Sequence, residues 1–281
     1  MIKNAKLLAV STAVSVLALT ACGGGGGDDG GSGVSVNSPT KPPVASKLEI
    51  DGNIVLVGET YGKKTKYQKS DDVDILLVDG KKIQIGMVDY NLGSYSDILK
   101  PADSFVESAG GGSASSYASY GTYIINPEDS NGLNRYKGFG LYYQGYVTPE
   151  SAMPKSGVVY YRSGFQRKSD DYVTAGFKGG ASIYINKDNS YRWISTGDVN
   201  LKADFGKKEL TGTVGHYYGE SANLTYKDTQ IHATIKGNKF AGTKNNVSTE
   251  GKFFGPNAEG IAGTFNDKNQ KLIGVFGAER D

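Results

Sequence analysis

Leu19-Thr20-Ala21-Cys22 sets the only cysteine of the chain at the end of a short apolar run, where its thiol can form a thioether and its freed amine an amide. The flanking residues give that chemistry a direction. Lys3 and Lys6 make a positive start, Leu7 to Leu19 an apolar middle, and the small Ala21 precedes the bond to be cut. A membrane-spanning helix needs about 20 apolar residues, and this run gives way sooner to Gly23-Gly24-Gly25-Gly26-Gly27. Residues 1–21 therefore read as a bacterial lipoprotein signal peptide, and Cys22 as the lipidation site. There the thiol takes a diacylglycerol and the amine a third acyl chain, more than the single chain that anchors only marginally. The alternative is an ordinary secretory peptide with an incidental cysteine.

No other constellation has the spacing of a catalytic centre. The chain lacks a serine-nucleophile elbow, a phosphate-binding glycine loop, a zinc-type histidine pair and an acidic calcium loop. The reading is of a non-enzyme without a metal site or a resident cofactor. His216, in Gly215-His216-Tyr217-Tyr218-Gly219, and His232 are the only histidines. Either could ligate haem iron, yet a lone histidine on a strand is more often a solvent-facing or hydrogen-bonded side chain. The formal net charge of +2 includes Lys3 and Lys6, so the processed chain is neutral and presents no surface of the kind nucleic acids select. With Cys22 acylated, no disulfide can form, and packing alone must stabilise the fold.

The elements that would position a binding surface are β-strands. Forty glycines and 19 tyrosines beside a single tryptophan fit short strands, tight turns and amphipathic aromatics. Residues 22–47 form a Gly/Ser/Pro tether, whose end-to-end reach is on the order of 25 to 30 Å. Gly23 follows the cysteine where aspartate would retain a lipoprotein in the inner membrane, which points to the outer membrane. Residues 48–150 read as a β-rich handle domain. Its clearest element is a hairpin, with Asp74–Val78 and Lys82–Ile85 flanking Asp79-Gly80. Tyr120 to Ile125 and Gly138 to Tyr146 are further strands. Gly110 to Tyr120 is rich in small residues and is expected to be an exposed loop. Tyr90, Tyr95, Tyr117, Tyr120 and Tyr123 lie among Ser and Gly, a composition suited to partner contact at low entropic cost. The other reading, equally open, packs many of these rings onto the handle sheet. Tyr142, Tyr143 and Tyr146 are expected at the seam with the next domain.

Residues 151–281 alternate short strand candidates with turns, the rhythm of an antiparallel barrel of about eight strands. The candidates are 158–165, 181–185, 191–195, 199–205, 209–215, 222–226, 230–235, 239–243, 247–254, 261–265 and 272–276. The fold class is all-β, an N-terminal handle followed by a C-terminal eight-stranded antiparallel barrel.

Four segments follow in order: Met153-Pro154-Lys155-Ser156-Gly157 leading into Tyr160, Ala203-Asp204-Phe205-Gly206-Lys207-Lys208-Glu209-Leu210-Thr211-Gly212, Thr249 to Glu259 (TEGKFFGPNAE), and Gly274-Val275-Phe276-Gly277-Ala278. Together they resemble the barrel shared by transferrin-binding protein B, the haemoglobin-haptoglobin utilisation lipoproteins and related Gram-negative surface lipoproteins. Gly260, Ala262 and Glu279 depart from the pattern. Within it, Gly255, Gly263 and Gly277 suit tight corners, and Phe253, Phe265 and Phe276 a buried face. The resemblance implies an outer-membrane, cell-surface lipoprotein held by its N-terminal lipid and exported through a dedicated surface lipoprotein translocon. It implies a host protein or host surface component as partner, met through the handle. Relatives of this type capture transferrin, haemoglobin or complement factor H, and a nematode-colonisation lipoprotein of similar size looks like another member. Haem-protein capture for iron, a non-iron role in colonisation or symbiosis, and a periplasm-facing assembly role all remain open at this point.

Overall fold

A computed structural model describes residues 48–58, 66–78, 80–85, 106–115, 117–125, 135–136, 138–163, 179–187, 190–218 and 226–281. Among these residues the regular structure is almost wholly strand, with one short 3-10 turn at Glu150–Ala152. The strands are β1 (Ile50–Gly58), β2 (Tyr67–Gln68), β3 (Ile75–Val78), β4 (Lys81–Gln84), β5 (Val106–Ser115), β6 (Ala118–Ile125), β7 (Arg135–Tyr136) and β8 (Gly138–Tyr146). Then come β9 (Val158–Arg162), β10 (Gly179–Lys187), β11 (Ser190–Asp204), β12 (Glu209–Tyr218), β13 (Thr229–Lys236), β14 (Lys239–Lys244), β15 (Val247–Phe254), β16 (Gly260–Asp267) and β17 (Leu272–Arg280).

Strands β10 to β17 pair antiparallel in sequence order, and β17 closes on β10 to make an eight-stranded barrel. One stave is split. Along β11, Gly197 to Ser190 face Ala181 to Lys187 of β10, while Asp204 to Asn200 face Val158 to Arg162 of β9. β9 and β10 thus lie end to end as one interrupted strand. The expected strands 191–195 and 199–205 are a single long one, β11.

Side chains alternate across the wall. In β13, Ile231, Ala233 and Ile235 point inward while Gln230, Thr234 and Lys236 are exposed, as the period of two requires. The interior is filled by Phe205, Phe240, Phe253, Phe265 and Phe276 among aliphatic residues, so the barrel is a packed core and not a channel. Phe240 lies across the backbone of Gly251 and Gly263, where any Cβ would crowd its ring. Gly263 and Gly277 are therefore strand residues, a correction to their reading as corners, whereas Gly255 does turn a corner at φ +88°. Phe253, Phe265 and Phe276 are buried as anticipated.

The handle is two sheets. β1, β8, β6 and β5 form one in that order, and β2, β3 and β4 the other, with the hairpin turn at Gly80 in the left-handed region, φ +76°. The four-stranded sheet is covered on both faces. Val57, Ala118, Tyr120, Phe139, Leu141 and Tyr143 face the barrel wall at Tyr184, Phe254, Ala262 and Val275. Tyr123 and Tyr142 face Leu76, Val78, Ile83 and Ile85 of the small sheet. Gln144 binds that layer by donating to the carbonyls of Val73 (2.9 Å) and Ile75 (3.0 Å).

The expected exposed loop at 110–120 is a correction. Gly110 to Ser115 belong to β5 and Ala118 to Tyr120 to β6, joined in an antiparallel pair. Among the strand candidates, 222–226 falls almost entirely outside the described residues.

Truncating Phe253 inside the barrel should cost about 3–5 kcal/mol of stability in urea unfolding, because it removes a ring touched by Tyr161, Phe205 and Phe240. Tyr160→Ala on the outer wall, where the ring is 44% exposed, should shift stability by less than about 0.5 kcal/mol.

Candidate functional site

β1 places its odd-numbered side chains, Asp51, Asn53, Val55 and Val57, toward the barrel, and two of them are polar. Asp51 meets Lys252 of β15, which is only 8% exposed. The Lys252 ammonium donates to Asp51 Oδ2 and to the Gly52 carbonyl (3.1 Å). Burial alone would raise the Asp51 pKa, but the Lys252 hydrogen bond, the Gly52 N–H and the nearby cations hold it below the ordinary carboxylate value. Burial lowers the Lys252 pKa in spite of its partner. The ammonium pays more for leaving water than one carboxylate returns, so this pair fixes geometry more than it adds stability.

One step along, Asn53 bridges the layers. Its Nδ2 donates to Glu250 Oε1 (2.8 Å), and its Oδ1 accepts from the Ile54 N–H (2.9 Å). Tyr143 lies beside this group, and burial drives its phenol pKa well above the ordinary value, with Glu250 adding to the rise. The end of β8 hooks onto the barrel directly. Gly255 N donates to the Tyr146 carbonyl (2.7 Å), and Thr148 Oγ1 donates to the Gly255 carbonyl (2.7 Å).

Beyond this seam a cleft of about 490 Å³ opens between β1 and the barrel wall. It is lined by Val55 of the handle and by Ala241, Thr243, Ser248, Glu250 and Asn266 among the barrel residues. Glu250 is the one charged side chain in its lining.

The residues singled out from sequence do not converge here. Cys22 and Tyr95 lie outside the described residues. Tyr120 is 6% exposed and faces the barrel; Tyr123 is 0% exposed and lies over Gly140 against the small sheet. Both are core rings, which corrects their reading as contact surface. The physical reason is that β6 belongs to a sheet covered on both faces. Tyr117 is half-buried at the β5–β6 turn, against Gly255. His216 has its backbone in β12, and His232 stands 3.6 Å from Glu209 on the barrel's outer wall. Among the described residues no group of His, Cys, Asp or Glu is arranged to hold a metal. Of the three expected seam tyrosines, Tyr143 and Tyr146 meet the barrel, while Tyr142 faces the small sheet. Sequence reasoning missed Asp51 and Lys252, although Lys252 stands inside the TEGKFFG segment between apolar residues, a position where a lysine needs a partner.

Comparison with known proteins places this architecture. The family model for the C-lobe and N-lobe β barrels of transferrin-binding protein B matches residues 153–280. Those residues, β9 to β17, are similar to the barrels of that family. The transferrin-binding protein B of Haemophilus influenzae is 28% identical over 199 residues, 56% of this chain and 30% of its own length. The Neisserial heparin binding antigen of Neisseria meningitidis is 27% identical over 122 residues, 41% of this chain and 24% of its own. A crystal structure of transferrin binding protein B from Haemophilus parasuis has the same fold, with a TM-score of 0.53 at 20% identity over 83% of this chain and 45% of that one. The chain thus spans less than a third of these curated relatives and somewhat under half of the solved structure. The transferrin-binding protein B fold extends over the handle as well as the barrel.

Lys252→Met leaves the half-buried Asp51 without its cation and should cost about 1–3 kcal/mol at neutral pH, while Lys252→Met with Asp51→Leu should recover most of the loss. The Asp51 pKa is depressed in the folded wild type, whereas burial raises it once Lys252 is gone, so the difference between wild type and Lys252→Met should be full near neutral pH, begin to shrink as pH falls through the raised value of the variant, and go on shrinking down to the depressed value of the wild type. Urea titrations across pH 2.5–7 measure both. Tyr123→Ala should cost about 3–5 kcal/mol in the same assay, as a buried ring does.

Proposed function

We propose that this protein is a lipid-anchored receptor on the outer face of the outer membrane, in which a handle-plus-barrel body binds a host macromolecule for host association. The observation that carries the reading is the handle sheet seated on a barrel of the transferrin-binding protein B type, combined with a lipidation signal and a long tether at the N-terminus. Cys22 supplies the anchor, and residues 22–47 lift the body clear of the headgroups. The barrel, with its filled interior, serves as a rigid support and as the part a surface lipoprotein translocon would export. Fold alone does not choose the ligand.

Within this reading the partner is a host protein or surface component. A haem-protein ligand, captured for its iron, is favoured by the likeness to a relative whose name states that it binds transferrin. A non-iron colonisation role is favoured by the likeness to the Neisserial heparin binding antigen, whose name states a ligand that is not an iron protein. Loss of the gene should impair growth on haemoglobin as sole iron source in the first case, and host occupancy with normal iron growth in the second.

Protease treatment of intact cells should remove the protein, and Cys22→Ala should release it from the membrane fraction. Survival on intact cells with digestion only after lysis would place it facing the periplasm and overturn the host-binding reading.

A further inference from the structure

β1 is the edge of the handle sheet, paired only with β8 among the described residues. Glu49 O accepts from Val147 N, which sets the odd residues of β1 in hydrogen-bonded register with β8. The N–H and C=O groups of Gly52, Ile54 and Leu56 therefore point outward from the sheet. Natural sheets guard such edges, and half of this one is guarded. Gly52 N donates to Asp51 Oδ1 (2.8 Å), the Gly52 carbonyl accepts from Lys252 (3.1 Å), and Ile54 N donates to Asn53 Oδ1 (2.9 Å). Past Ile54 N the guarding stops. The Ile54 carbonyl and both backbone groups of Leu56 meet no partner among the described residues.

The open half of the edge runs beside the cleft described above. Its barrel wall offers hydroxyl, amide and small apolar side chains, a lining that accepts β-branched or short polar side chains. Its one charge is Glu250, exposed, with Oε1 held by Asn53 and Oε2 turned to no described partner. One donor and two acceptors that have no partner among the described residues, set along an extended backbone, a cleft for alternate side chains and one carboxylate for a cation together describe a strand-addition site.

We propose that the outer edge of β1 over Ile54–Leu56 takes an extended peptide segment of a partner protein as an added strand. Alternate side chains of that segment drop into the cleft against Val55, Thr243 and Ser248, and a lysine or arginine reaches Glu250. The Asp51–Lys252 and Asn53–Glu250 bridges set where the added strand must end. This deepens the binding-protein reading and rests on it, but its test uses purified protein, so a failure here leaves the cell-surface test untouched.

The probe is a display library of random, proline-free nine-residue peptides selected on the full processed chain lacking its lipid. Enriched peptides should alternate β-branched with other residues and carry a basic side chain. N-methylation of every second residue of a synthetic winner should weaken binding at least tenfold in one phase and leave it unchanged in the other, because only one set of N–H groups faces β1. Glu250→Gln, which keeps an acceptor for Asn53, should weaken binding at least fivefold, and Leu56→Pro should abolish it. Hydrogen exchange at the Leu56 amide should slow when the peptide binds, a readout that stands even where the proline variant folds poorly. An absence of enriched peptides, equal binding of both N-methylated phases, or an unprotected Leu56 amide would overturn the proposal. A dimer of the free protein broken by Leu56→Pro would assign the edge to a second copy of the chain and overturn it as well.

Discussion

The four-stranded handle sheet is apolar on both faces, and the structure depends on that constraint. Leu141 and Tyr143 point one way along β8 while Tyr142 points the other, so each face needs its own cover. The small sheet covers one. The barrel wall covers the other, and to do so it must be apolar outside as well as inside. That is why β15, β16 and β17 are buried on both faces near the seam, with Phe253 and Phe276 inward against Phe254 and Val275 outward. The same strands supply much of the family-like sequence, so those motifs encode a joint between layers as well as a barrel.

Polar groups in the joint decide register where apolar packing cannot. Phe139 against Tyr184, with ring centroids 4.2 Å apart, tolerates small slips. Lys252 reaching both Asp51 and the Gly52 carbonyl does not, because a slip would leave a buried ammonium without its carboxylate. The joint therefore combines a greasy surface that supplies the stability with two bridges that fix position. Handle and barrel lie within one compact unit as a result.

Much of the barrel was legible in the sequence because strand alternation and turn glycines act locally. Ile231, Ala233 and Ile235 announce a half-buried strand by themselves, and Asp79-Gly80 announces its hairpin. The handle was less legible. Gly110-Gly111-Gly112 have no side chains to display a period and Ser113 has only a small polar one, so a strand there reads as a loop until its partner β6 is seen. Tyr120 and Tyr123 sit in a Ser/Gly context that mimics a binding loop, and only a sheet covered on both faces makes them core. The Asp51–Lys252 pair joins residues 201 positions apart, beyond any local signal. The cleft is likewise a product of two layers meeting, and no single segment encodes it.

Handle and barrel are one body, joined through a packed seam, so that a surface on either is held rigidly with respect to the other. Hydrogen exchange at increasing urea, read separately for peptides of β6 and β8 and for peptides of β13 to β16, tests this most directly. One body predicts a shared unfolding midpoint for both sets. A handle that opens at lower urea while the barrel amides stay protected would contradict it.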